Sequence, residues 1–183
     1  MRILGVDPGT EATGFGVIDS DGDRCRLVEF GAVRARKVAS FSQKLLVIHR
    51  KLGEVIRRVR PETVVVENVF YAANVKSALR LGHVRGVTLL VGVEHELPLF
   101  EYSPLEVKQA VAGYGRASKE QIQEMVRVLL SLERAPTPFD AADALAVALC
   151  HANRLRFSAR VRAAVSAGAR PRVIPRVIPR VIH

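Results

Sequence analysis

The chain has 183 residues, 49% of them hydrophobic, which suits a single domain with a sizeable core, with or without a tail. Its longest uncharged apolar stretch, Gly86 to Val93, is far short of the roughly 20 residues that cross a bilayer, so no membrane span is expected. The formal net charge of +10 points to an anionic partner, but eight arginines and no acid fall in residues 154–183, leaving 20 basic and 18 acidic residues in the body. Two distant cysteines, Cys25 and Cys150, and a start at Met1-Arg2 that runs straight into a strand rather than a leader suggest a reduced, cytoplasmic protein.

Ile3, Leu4 and Val6 read as a buried strand, with Gly5 allowing something to pack close against it. Pro8-Gly9 stops the strand, so Asp7 is held at its end. Strands often end on Asp before a Gly turn, and Asp7 alone is as well explained as a plain turn residue. Gly14 to Ile18 and Cys25 to Val33 read as two further strands of an antiparallel meander, joined at Asp21-Gly22. Asp19 to Asp23 resembles the start of a calcium loop, but its Gly is at the wrong offset and Phe30 stands where the twelfth-position Glu belongs.

A helix capped by Ser40 or Ser42 is predicted to run to about Arg60, with Leu45, Ile48, Leu52, Val55, Ile56 and Val59 on one face. Thr63 to Glu67 is a β-branched strand that again ends on a carboxylate. Helices before and after it imply parallel crossovers. Asn68 to Lys76 is a loop carrying Phe70 and Tyr71. A helix from about Ser77 to His95 carries Ala78, Gly82 and Gly86 in one smooth stripe, expected to face the sheet or a second subunit, more commonly the sheet.

Leu97 to Tyr102 is a fifth strand, and Leu105 to Ala112 a short helix with Lys108. Ser118 to Gln121 is a capping-box pattern opening a helix to about Leu132. The last helix is expected from Phe139 to about Phe157, with mostly small apolar residues and with Asp140 and Asp143 on one face of its first turn. Acids there are common for dipole reasons alone. His151 reads as a surface or satisfied residue. Residues 1–157 thus form the domain, and residues 158–183, closing in a Pro-Arg-Val-Ile repeat, a basic disordered tail.

Four acids stand out. If the first and fourth strands are neighbours, Asp7 and Glu67 lie side by side at one rim, and a helix across that rim could add Asp140 and Asp143. Four uncompensated carboxylates repel, and two Mg²⁺ or Mn²⁺ ions remove that conflict. Such an ion pair is the device for in-line phosphodiester hydrolysis, and no His, Ser or Cys nucleophile is visibly arranged here.

Asp7-Pro8-Gly9-Thr10, Gly14-Phe15-Gly16, Glu67-Asn68-Val69-Phe70, the run Ala78 to Gly86, Val107-Lys108-Gln109 and Asp140 to Ala146 together resemble the RuvC family of Holliday junction resolvases, in order and spacing, from residue 1 to about 155. The resemblance implies an α/β, RNase H-like fold with a five-stranded mixed sheet flanked by helices, and a homodimer. It implies symmetric nicking of four-way junction DNA on two strands of like polarity, with two Mg²⁺ ions per site and Mn²⁺ as a substitute. It places Asp7, Glu67, Asp140 and Asp143 on the metal-binding catalytic positions. Phe70 falls on a base-stacking position, and Lys108 and Lys119 on positions near the scissile strand. Tyr71 is a further candidate DNA contact. A branch-migration complex of RuvA and RuvB is the implied partner. Two alternatives remain: an RNase H-like nuclease for ribosomal RNA precursors, and an actin/sugar-kinase-like nucleotide-binding protein. The second needs another phosphate loop and another domain.

Overall fold

A computed structural model of the chain describes residues 1–35, 40–68 and 74–166. Five strands form one sheet: β1 (Arg2–Asp7), β2 (Thr13–Ser20), β3 (Cys25–Val33), β4 (Thr63–Glu67) and β5 (Leu99–Tyr102). Their order is β3-β2-β1-β4-β5. β1, β2 and β3 are antiparallel neighbours, while β4 and β5 continue the sheet in parallel from β1. The parallel crossovers read from the helices and the five-stranded mixed sheet implied by the resemblance are therefore present.

Two helices cover one face, α1 (Phe41–Val59) and α2 (Val75–Glu94). Three cover the other, α3 (Pro104–Ala112), α4 (Lys119–Leu129) and α5 (Phe139–Ser166). Alternate strand residues divide between the two cores. Leu4, Val6, Val64 and Val66 pack with Ile48, Leu52 and Val84 on the α1/α2 side. Ile3, Ile18 and Val65 pack with Val107, Val126 and Leu145 on the α5 side. The helix starts follow local chemistry. Ser40 caps α1, Asn74 caps α2, and Ser103 and Ser118 form capping boxes on α3 and α4.

α5 is the central helix. It is buried almost all round from Ala141 to Ala152, because it lies between the sheet and α3/α4. Glycines bring it down onto the strands. A Cβ on Gly5 would stand 2.1 Å from the Ala144 carbonyl oxygen, and one on Gly16 would stand 2.7 Å from the Leu145 backbone nitrogen. The close packing expected at Gly5 is thus against the backbone of α5.

Several expectations change. The helix does not stop at Phe157 but continues to Ser166, nine residues into the stretch read as tail. Ala and Arg are good helix formers, and 158–166 holds no Gly or Pro, so propensity carries the helix past its buried part. Residues 167–183 lie outside the described residues. Gly82 and Gly86 of α2 do not face the sheet: a Cβ on either would meet nothing within 4 Å. His151 is not at the surface; it is fully buried, with Nδ1 2.8 Å from the Tyr102 hydroxyl and Nε2 without a partner among the described residues. Burial pulls its pKa down to about 4. The Asp19 to Asp23 turn is used locally. Asp19 accepts two hydrogen bonds from the Arg2 guanidinium, and Asp21 accepts the backbone N–H groups of Asp23 and Arg24.

Candidate active site

Asp7 ends β1 and Glu67 ends β4. Val6 and Val66 pair directly across the parallel ladder, so the two acids follow side by side. They share the strand parity of Ile3 and Val65, which face the α5 side. α5 begins above this rim. A Cβ on Gly14, the β2 partner of Asp7, would lie 1.8 Å from the Asp140 carbonyl oxygen. The first turn of α5 therefore rests on the strand end that carries Asp7, and Asp140 and Asp143 enter the site from there.

The electrostatics are those of crowded acids. Burial, then the charges of Glu67 and Asp143, hold the Asp7 carboxyl well above the ordinary carboxylate range. Glu67 is raised as well, first by burial, while a hydrogen bond with Asp7 acts against that shift. Two adjacent buried carboxyls ease their repulsion by sharing a proton, which belongs to the Asp7–Glu67 pair. Burial also raises Asp143, against the pull of Lys119.

Basic side chains ring the acids. Lys119, the first residue of α4, donates from Nζ to Asp143 Oδ2 at 3.1 Å. Its own pKa is raised, with Asp143 as the main cause. Lys108 on α3 is close enough for its charge to favour the ionised forms of Glu67 and Asp143. Arg34 Nη2 lies 3.9 Å from Asp140 Oδ2.

Of the sequence-predicted residues, Asp7, Glu67, Asp140, Asp143, Lys108 and Lys119 thus meet at one rim. Phe70 and Tyr71 lie outside the described residues. Arg34 was not singled out from sequence. Its signal lay in the meander, because β3 pairs Val33 with Thr13 and so returns the chain to the Asp7 end of the sheet.

Among the described residues, no three His, Cys, Asp or Glu side chains stand close enough together to hold an ion as they are. Asp7 is engaged with Glu67, Asp143 with Lys119, and Asp140 with Arg34. In kind, however, the donors fit a hard divalent cation: all four are carboxylates, and a proton now does part of the neutralising that such a cation would do. The buried Asn68 Oδ1, next in the chain to Glu67, also lacks a hydrogen-bond partner among the described residues. A cleft of about 460 Å³ lies at the opposite end of the sheet beside the β2–β3 turn, and none of the four acids lines it.

The arrangement matches known proteins. The model of the family described as crossover junction endodeoxyribonuclease RuvC matches residues 3–151. The RuvC of Syntrophotalea carbinolica is 52% identical over 153 residues, covering 84% of this chain and 94% of that protein. The RuvC of Alkaliphilus oremlandii is 46% identical over 158 residues, covering 86% and 96%. The structure of Thermus thermophilus RuvC in complex with a Holliday junction substrate superposes with a TM-score of 0.81 at 38% identity, covering 86% and 96% of the two chains. With its RNase H-like sheet and a match across most of its length, this chain belongs to the RuvC family of crossover junction endodeoxyribonucleases.

Proposed function

We propose that Asp7, Glu67, Asp140 and Asp143 are the metal-holding catalytic residues with which this enzyme resolves Holliday junctions. It nicks two strands of like polarity and leaves 5′-phosphate ends. The observation that carries this reading is the meeting of two strand-end acids with the first turn of α5 at one rim, within a chain of this family.

The four carboxylates would hold two Mg²⁺ ions, with Mn²⁺ as a substitute. Such ions supply activation of a water for in-line attack and stabilisation of the leaving 3′ oxygen. The chain's own residues do the rest. The Asp7–Glu67 pair gives up its shared proton when the two carboxylates become ligands. Lys108 and Lys119 hold phosphates of the scissile strand, an ionic contact that positions the backbone without reading bases. Phe70 stacks on or wedges junction bases, with Tyr71 beside it.

The enzyme acts as a homodimer, which presents two such sites to the two strands. α2 supplies a suitable surface. Val75, Leu79, Leu90 and Val93 are exposed and share one helical stripe with Gly82 and Gly86. Among the described residues no helix is long and apolar enough to cross a membrane. A cytoplasmic setting with RuvA and RuvB as branch-migration partners, and a basic tail from residue 167 that adds charge for DNA, complete the reading.

Neither alternative gains an observation. The described residues form one sheet, whereas a sugar-kinase-like nucleotide site lies between two domains. Nothing in the site favours ribosomal RNA precursors. The test is nicking of a four-way junction against a linear duplex of the same sequence, with Mg²⁺ and with EDTA. Junction-selective, Mg²⁺-dependent nicking is expected; equal cutting of both substrates overturns the proposal.

A further inference from the structure

We propose that Lys119 and Arg34 are exchangeable counter-ions. In the free protein they hold Asp143 and Asp140; when a junction binds they transfer to DNA phosphates, and the two freed carboxylates become available to the divalent metal. This inference rests on the metal-site reading above and adds to it that DNA and metal bind cooperatively, through these two side chains.

The backbone at this rim is fixed. α5 lies on Gly5, Gly14 and Gly16, so Asp140 and Asp143 cannot reach Asp7 and Glu67 by a shift of the helix. Only their side chains can turn. Each of those side chains is drawn toward a cation from another element. Lys119 Nζ is 3.1 Å from Asp143 Oδ2, and Arg34 Nη2 is 3.9 Å from Asp140 Oδ2. This division accounts for the lack of a converged three-carboxylate set among the described residues.

The cations are built to change partners. The backbone of Lys119 is anchored. Ser118 accepts from Gln121 N–H, and Gln121 accepts from Ser118 N–H and from the Tyr114 hydroxyl. Its side chain, by contrast, is 65% exposed, and that of Arg34 is 41% exposed. Neither has a second ion-pair partner among the described residues. The Arg34–Asp140 pair is exposed on both sides and worth about 1 kcal/mol or less, so a nearby phosphate can compete for the arginine. In the other pair only Lys119 is exposed; Asp143 is 19% exposed, so the lysine can leave for a phosphate only as another cation takes its place on that carboxylate. A divalent ion competes for the carboxylate in the same way. Each transfer makes the other easier, and linkage requires the coupling to be reciprocal. The acids would then be armed chiefly where a phosphate backbone already lies across the rim.

The test is calorimetric titration of Mn²⁺ into the full-length, DNA-free protein. Wild type is expected to bind weakly. Lys119→Met and Arg34→Gln should each tighten Mn²⁺ binding by about fivefold, the lower end of typical coupling between sites. Lys119→Arg keeps the charge and should behave as wild type. A junction with non-hydrolysable linkages at its cut sites should raise the Mn²⁺ affinity of wild type, and raise it less in the two charge-removing variants. Unchanged or weaker Mn²⁺ binding by both variants without DNA, or an equal gain from the junction in all proteins, overturns the exchange. Asp7→Asn separates the two levels: if it binds Mn²⁺ as wild type does, the metal-site reading itself fails.

Discussion

The Cα of Gly14 lies so close under the first turn of α5 that a methyl group there would stand 1.8 Å from the carbonyl oxygen of Asp140. The strand end that carries Asp7 and the helix turn that carries Asp140 and Asp143 are thereby set at a fixed height. Gly14→Ala must lift the helix or bend the strand, because the obstacle is backbone and not a movable side chain. We expect a loss of about 1–3 kcal/mol, the usual cost of overpacking, read as roughly 2–4 °C in Tm for each kcal/mol. Cleavage should fall further than junction binding, since the acids lose their spacing while Lys108 and Lys119 remain in place. A variant that melts and cuts as wild type does would show that the close approach is not needed.

The raised Asp7 has a consequence for stability. In the unfolded chain this carboxyl ionises at the ordinary pH; in the folded protein it holds its proton to a higher one. The native state thus binds more protons between those two pKa values, and its stability falls as pH rises through that window. At neutral pH the metal-free site is a source of strain. Asp7→Asn leaves one titrating carboxyl fewer in the crowded pair and should raise the Tm of the metal-free protein while abolishing cutting and sparing junction binding. Retained cutting would show the metal-site assignment to be wrong. The wild-type Tm should rise with Mg²⁺, and that of the variant should rise less.

Much of this site was legible because it depends on where strands end. Asp7 before Pro8-Gly9 and Glu67 after a β-branched run are placed by breakers and buried apolar residues, which are local signals. That the two strands are neighbours is only a condition of the sequence reading; the parallel ladder that pairs Val6 with Val66 meets it. What escaped depends on the environment of a whole helix. α5 carries small residues on every face, a sign of burial on all sides, and so His151 is interior. The α2 stripe misled for the converse reason: close spacing of Gly82 and Gly86 announces that something approaches, not which surface it belongs to. Arg34 was hidden because only the return of β3 alongside β2 brings it near Asp140.

His151 should give the protein a distinctive acid limb. Its folded pKa of about 4 lies below the ordinary value near 6.5, so between these values the unfolded chain takes up a proton that the native state refuses. The contribution of His151 is expected to be complete above pH 6.5, to be lost as pH drops from 6.5 to 4, and to change no further below that. The loss amounts to about 3 kcal/mol. His151→Gln can still meet the Tyr102 hydroxyl but cannot titrate. The difference between the two urea-unfolding free energies, plotted against pH, cancels the carboxyl contributions and isolates this one. Parallel curves for the two proteins would exclude His151 as the source.

The exposed α2 stripe makes the dimer testable without touching the catalytic rim. Val75, Leu79, Gly82, Gly86, Leu90 and Val93 recur at spacings of three and four, so they form one narrow face on the outside of the domain. Two such helices can approach closely where the glycines leave no side chain in the way, and the flanking Leu and Val then bury apolar surface at both ends. Leu79→Glu places a carboxylate in that contact on both copies at once, because a two-fold interface repeats every change. In sedimentation, wild type is expected as a dimer and Leu79→Glu as a monomer. The monomer should keep its fold and its Mn²⁺ binding but should no longer nick the two strands of one junction in a coordinated way. A variant that still sediments as a dimer would place the interface elsewhere. A wild type that sediments as a monomer at every concentration would rule out the self-association that this face is proposed to serve.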